Sequence, residues 1–316
     1  MSHHKKIIWV VNCVNRKTLE THRELSISNY SSNLNLRLIN WISRISNPNS
    51  PLIDALSLYA GDNWTVVKNT IAKVEQIELW IVSAGYGLIR SDAEIESYDA
   101  TFERKDDNYV GKDDKKRDDY ESDQAWWLKV NEWKGPSSET ERSFKSLFKN
   151  NPDTPILFSL SRKYFSAVST DLKSAIENFP QRNNLFLFAT GKLPEPFKRF
   201  HIPVHARYKK KIGGNPLSVT TRTASALLKS SESHKFDFET VQQVIMNDYE
   251  SLDPLVPYNR KPRSDEQILK MIEEMKKVNP SHSHSSLLRV YRDQGYACEQ
   301  GRFRDLYNKS SESPSI

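Results

Sequence analysis

Four short apolar runs punctuate the first two-thirds of the chain, at residues 5–11, 79–82, 155–160 and 185–189. Each is continuous rather than alternating, which predicts strands buried on both faces, as in a parallel sheet. Residues 203–207 are a weaker candidate for a fifth strand. Between the runs, apolar residues recur at helical spacing. Over 31–45 they fall at Leu34, Leu38, Trp41, Ile42 and Ile45, after serines able to cap a helix. Residues 62–77, 140–148, 170–179 and 219–228 also read as helices. Strands alternating with helices predict an α/β fold, a mostly parallel sheet with helices on both faces.

The pattern changes at the Pro-rich residues 253–263, which read as a linker closing an α/β domain over 1–252. Beyond it, 264–278, 285–294 and 299–307 predict three helices, the first with a Ser-Asp-Glu-Gln start. This is a small all-α domain over 264–309 with a helix-turn-helix outline. The Ser-rich residues 310–316 are expected to be disordered. Residues 103–123 are dense in both charge signs and nearly free of apolar residues, so a solvated insertion is expected there. Trp126, Trp127 and Trp133 follow it and read as core packing before base stacking.

The chain has 316 residues, 37% hydrophobic and 27% charged, with a mean hydropathy of −0.67 and a formal charge of +6. That is enough apolar material for one large core and a small one. The basic balance favours nucleic acid over acidic proteins or membranes as partner. Cys13 and Cys298 are too few for a disulfide framework and lack metal-site spacing, so no metal is expected. No apolar run approaches the length of a membrane span, and no secretory leader is evident. A reducing cytoplasm, no membrane and no obligate protein partner are expected.

The candidate chemistry lies where predicted strands end. Leu79 to Val82 breaks into Ser83-Ala84-Gly85-Tyr86-Gly87, with Asp92, Tyr98 and Asp99 just beyond. Asn12, Cys13, Asn15 and Lys17 follow the first strand. In a parallel sheet such loops gather on one edge, where open α/β proteins hold ligands. Asn12, Cys13, Asn15, Lys17, Ser83, Gly85, Tyr86, Gly87 and Tyr98 would form a polar, aromatic pocket suited to a planar heterocycle. No dinucleotide fingerprint is present, and no cofactor is expected. Such a pocket fits N-glycosidic chemistry, in which a carboxylate stabilises positive charge on the sugar or activates water. Asp99 is the first choice for that carboxylate and Asp92 the second. Lys17 as an amine nucleophile is a lesser alternative, and Cys13 a weaker one. A capping role after a turn competes for Tyr98 and Asp99. Phosphate contacts are expected from Arg162, Lys163, Lys209, Lys210, Lys211 and Arg222. Lys209 to Lys211 precede two glycines, yet the pattern is not a Walker loop. In the helical tail, Arg289, Arg292, Gln300, Arg302 and Arg304 are types that meet phosphates or base edges.

Two of these stretches carry a family resemblance. Ser83-Ala84-Gly85-Tyr86-Gly87-Leu88-Ile89, an acidic residue, then Ile95 to Tyr98-Asp99, resembles the YaaA-like family. Val10 to Lys17 is similar to that family's opening strand and Cys-x-x-x-Lys loop, with weaker matches at 156–164 and 185–191. The resemblance covers about the first 230 residues. It implies an α/β fold and, for some members, DNA binding. Related domains occur in base-exchange and phage-defence settings. The resulting expectation is a DNA glycosylase that flips out and excises a modified base, for instance a glucosylated phage base, from double-stranded DNA. The alternatives are a transglycosylase inserting a deazapurine and a non-catalytic DNA-binding stress protein.

Overall fold

The computed structural model describes residues 6–137, 141–213, 218–230, 237–252, 259–278 and 280–312. The chain divides into two units, residues 1–253 and 254–316.

The first unit begins with β1 (Ile7–Asn12), whose six residues are all buried. After it come α1 (Leu34–Ile45), β2 (Ile53–Asp54), α2 (Ala55–Leu58), α3 (Asp62–Ile71) and β3 (Ile77–Ser83). The chain continues through β4 (Gly87–Arg90), β5 (Glu94–Ile95), α4 (Asp119–Glu132), α5 (Phe144–Asn150) and β6 (Ile156–Ser159). It ends with α6 (Arg162–Asn178), β7 (Leu185–Ala189), β8 (His201–Pro203), α7 (Lys209–Ile212), α8 (Val219–Lys229) and α9 (Phe238–Glu250).

Six strands form one sheet in the order β4-β3-β1-β6-β7-β8. All neighbours are parallel except β3 and β4. The α/β fold with a mostly parallel sheet is therefore present. Helices cover both faces, with α1, α4, α5 and α6 packed together in one layer and α3 against α8 in the other. The chain leaves β1 for β3 on one side, while β6 lies on its other side. The loops after β1 and β6 therefore part, leaving a crevice at the carboxyl ends of the two strands.

The sheet departs from expectation at its edge. Gly87 to Arg90 is a strand, paired antiparallel from Ser83 opposite Gly87 to Trp80 opposite Arg90. The fifth strand lies at 201–203 rather than 203–207, and α9 adds a helix the periodicity did not single out. Ser161 is the N-cap of α6, so the helix starts at Arg162 instead of near residue 170.

The charged stretch 103–123 is not a solvated insertion throughout. Tyr109 and Val110 are buried. The buried Arg37 donates to Ser31 O (2.7 Å), Val110 O (2.6 Å) and Lys112 O (2.8 Å), clamping the loop to α1. Asp118 caps α4 in a capping box with Glu121. Asp123 is buried in the next turn, where burial pushes its carboxyl up to about 7 against the pull of Tyr109 and Arg104.

Tryptophans hold the core together through their N–H groups as well as their area. Trp9 donates to Ser159 Oγ (2.8 Å), tying β1 to β6. Trp126 and Trp127 are core, as expected. Trp127 donates to Asp171 Oδ2 (3.1 Å), which also accepts from Phe144 N (3.3 Å).

The second unit contains α10 (Asp265–Val278), α11 (His284–Asp293) and α12 (Gln300–Glu312). Ile268, Ile272, Leu287, Leu288, Tyr291, Phe303 and Leu306 form its core. It is not purely helical. Residues 261–262, within the expected linker, form β9 (Lys261–Pro262), which pairs in parallel with β10 (Tyr296–Ala297). Residues 253–258 of that linker lie outside the described residues. α12 extends through residues 309–312, beyond the predicted helix end, and Lys276 Nζ donates to Tyr307 O (3.0 Å) and Ser310 Oγ (2.6 Å). The extra turn is therefore pinned to α10, and residues 313–316 lie outside the described residues. No helix among the described residues is long and apolar enough to cross a membrane.

Asp171 gives the core a pH dependence. Burial raises its carboxyl from the ordinary 3.8 to about 6, opposed by the Trp127 and Phe144 donors. A folded-state pKa above the unfolded one means stability is greatest below the unfolded value and falls as pH rises through the folded one. Wild type should therefore lose about 2 to 3 kcal/mol relative to Asp171→Asn between about pH 4 and pH 7. Urea unfolding of both proteins at the two pH values checks this; parallel profiles would contradict it.

Candidate functional site

The crevice after β1 and β6 holds a cavity of about 390 Å³. Asn12 stands at its base and joins the two diverging loops. Its Nδ2 donates to Cys13 O (2.8 Å), and its Oδ1 accepts from Ser161 N (2.9 Å). Its amide thus builds the crevice. Cys13 and Tyr164 both line the cavity, with Sγ and the phenol oxygen 3.1 Å apart. Burial is the main cause raising the Tyr164 pKa, so the phenol stays a neutral hydrogen-bonding group. Asn15 also lines the cavity and donates to Asp106 Oδ2 (2.7 Å).

Two carboxylates lie in the lining, Asp62 from the first turn of α3 and Glu103 from the segment after Asp99. Each meets a cation from another element. Asp62 Oδ1 is 2.6 Å from Arg222, and Glu103 is paired with Lys163. Lys163 and Arg222, expected on phosphates, instead balance acids at this cavity. Asn63 lines it too, and its Oδ1 is buried without a hydrogen-bond partner among the described residues. A buried acceptor left unpaired costs about 1 to 3 kcal/mol.

The other predicted residues are placed differently. Gly85, Tyr86 and Gly87 form a buried hairpin turn and do not line the cavity. A Cβ on Gly85 would come within 2.4 Å of the Tyr98 ring. Gly87 has φ +73°, and a Cβ there would meet Asn131 Oδ1 at 2.4 Å. The turn carbonyls are all taken: Ala84 O by Trp126, Gly85 O by Trp41 and Tyr86 O by Arg142, each at 2.7 Å. Tyr86 is buried between Tyr98 and Trp133 and is no stacking platform.

Tyr98 is fully buried as well. Its hydroxyl shares hydrogen bonds with Tyr59 (2.8 Å) and Ser83 Oγ (2.7 Å), and Ser83 Oγ accepts from Tyr86 N (2.9 Å). Lys17 Nζ sits over the Tyr98 ring, 4.5 Å from its centroid, and 3.8 Å from Asp99 Oδ1. It also donates to Asn15 O (3.2 Å). Burial lowers its pKa, opposed first by Cys13 and then by Asp99 and Asp106. With only 4% of its side chain exposed, Lys17 is enclosed, and neither it nor Asp99 lines the cavity. An enclosed amine is a staple for the loop after β1, and this geometry does not favour it as a nucleophile. Asp99 is tied by backbone hydrogen bonds to Leu25 (2.7 Å) and Ile27 (2.8 Å), and 39% of its side chain is exposed.

Asp92 is not part of this edge. Because β4 runs antiparallel, it carries the chain to the opposite end of the sheet, where Asp92 pairs with Arg90. Lys211 is paired with Asp248 (2.7 Å). Lys209 and Lys210 start α7, a short helix rather than a basic turn, and nothing is described of their side chains. Arg162 is exposed at the start of α6. In the second unit, Arg292 donates to Cys298 O (2.8 Å), and Arg302 is held by Asp265 and Arg263 O. Arg289, Gln300 and Arg304 are exposed.

The structure thus adds Asp62, Asn63, Glu103 and Tyr164 to the predicted Asn12, Cys13 and Asn15. Among the described residues no group of three His, Cys, Asp or Glu side chains is placed to hold a metal ion. No protein-family model, no curated protein and no solved structure matches the chain significantly. The resemblance to the YaaA-like family therefore rests on the two motifs alone.

The hydroxyl network beneath the site is directly testable. Tyr98→Phe deprives Tyr59 and Ser83 of a buried partner and should cost about 1 to 3 kcal/mol in urea unfolding. An unchanged midpoint would show that the network contributes nothing.

Proposed function

We propose that the chain is a DNA glycosylase that draws a modified base into the switch-point cavity and cleaves its N-glycosidic bond. The observation that carries the reading is the cavity itself, about 390 Å³ with two carboxylates, Asp62 and Glu103, in its lining. That volume lies in the range of small-ligand sites. A base reaches such a cavity only by leaving its stack, which is the manner of enzymes that act on bases. Asn63, Ser161 and the Tyr164 hydroxyl are positioned to read polar edges. As the bond breaks, positive charge grows on the sugar, and Glu103 is the cavity carboxylate we assign to face it. Lys163 is the ion-pair partner of Glu103. Glu103 takes precedence over Asp99, since Asp99 lies outside the lining and bears on the site only through Lys17. The exposed Arg289, Gln300 and Arg304 of the helical unit would add duplex affinity. Two free cysteines suit a reducing cytoplasm.

The test is incubation of the protein with genomic DNAs bearing ordinary and hypermodified bases, with mass spectrometry of the released small molecules. Free modified base and abasic sites are expected. Glu103→Gln should slow release by about 100-fold or more, and Asp92→Asn should leave it unchanged. Release of unmodified guanine only when a deazapurine is supplied would move the assignment to base exchange. Binding with no release from any DNA would sink both enzymatic readings.

A further inference from the structure

A second cavity, of about 530 Å³, opens beside the first and shares Leu160, Ser161 and Thr220 with it. It lies past the carboxyl ends of β6 and β7, between the first turns of α6 and the loop at 190–194. It differs from its neighbour in the charges that line it. One wall is apolar, with Leu193 beside Phe165 and Phe197, whose rings meet edge to face 5.1 Å apart. No carboxylate lines it, and Arg162 and Lys192 do. Both cations are exposed, and neither has an ion-pair partner among the described residues. In the adjoining cavity Lys163 and Arg222 are both paired with acids.

A cavity with two carboxylates next to an acid-free cavity with cations and an aromatic wall repeats the order of groups along a nucleic-acid strand. A base and its sugar come first, and then a phosphate and the next base. Resting on the reading of the first cavity as a base pocket, we infer that the second is the subsite for the adjoining nucleotide of the same strand. Its phosphate is held by Arg162 and Lys192, and its base lies against the Phe165–Leu193 wall. Charge complementarity selects this occupant, since an apolar ligand would leave both cations without purpose. Base stacking on aromatic side chains tolerates any sequence, so the subsite supplies grip without dictating the neighbouring base. It also favours a strand over a free nucleoside, because only a strand fills both cavities.

The probe is a fluorescein-labelled oligothymidylate of about 12 nucleotides carrying one 2-aminopurine, titrated with the full chain over a range of salt. The double variant Arg162→Ala, Lys192→Ala alters only exposed side chains. It should bind at least about 10-fold more weakly, with the slope of log K against log[salt] reduced by about 1. Phe165→Leu keeps an apolar contact to Phe197 but removes the ring. It should abolish the 2-aminopurine quenching expected of wild type while leaving the salt slope intact. Wild-type binding that both variants reproduce would overturn the subsite and leave the base pocket standing. Wild type that binds no oligonucleotide would overturn the DNA reading itself, and the subsite with it.

Discussion

Three successive carbonyls in one buried turn, those of Ala84, Gly85 and Tyr86, each accept a hydrogen bond from a different part of the chain. Buried backbone acceptors must be paired, and a three-residue turn cannot pair them internally. The pairing comes from Trp41 on α1, Trp126 on α4 and Arg142 before α5. One turn therefore fixes two helices and a loop against the sheet edge. Arg142 is itself half-buried, and desolvation draws its guanidinium down to about 10. It also donates to Val130 O (3.1 Å) and Trp133 O (3.1 Å), so its charge is spread over backbone dipoles in place of a carboxylate. The order extends toward the cavity. Gly85 admits the Tyr98 ring, Tyr98 carries Lys17 on its face, and Lys17 holds the loop that presents Cys13 and Asn15.

Much of the scaffold was legible because its signals are local. The apolar runs at β1, β3, β6 and β7 are long enough, and apolar enough on both faces, to declare buried parallel strands. Asn12 and Cys13 were legible for the same reason: the residue after a parallel strand lies on the ligand edge whatever the rest of the fold does. The hairpin was not. Leu88 and Ile89 are two apolar residues after a glycine turn, and nothing local says that they return along β3. That single inversion moves Asp92 to the wrong end of the sheet. Gly85 and Gly87 were misread for a related reason. A glycine announces that something approaches the backbone, but the sequence does not say whether that something is a ligand or Tyr98 and Asn131. Glu103 was hidden in a charge run whose order comes from contacts distant in sequence, such as the buried Arg37 clamp on Val110 and Lys112.

Charge is distributed less simply than a net of +6 suggests. Lys163, Lys211, Arg222 and Arg302 each meet an acid. Several of the cations that composition would assign to phosphate are thus engaged with local acids. Arg162 and Lys192, flanking one cavity, have no such partner among the described residues. Surface pairs of this kind add little stability.

The Asn12 amide bridges residues whose positions differ by 149 in the sequence, and the Trp9–Ser159 contact beside it spans 150. Contacts of such separation form late, after the loops between them have paid their closure entropy. A ribosome-bound chain therefore displays both of its sequence motifs well before β6 exists to complete the crevice. Partial products of synthesis or proteolysis carry the recognisable motifs but no assembled cavity, whose lining needs Tyr164 of α6 and Thr220 of α8 as well as β1 and β6.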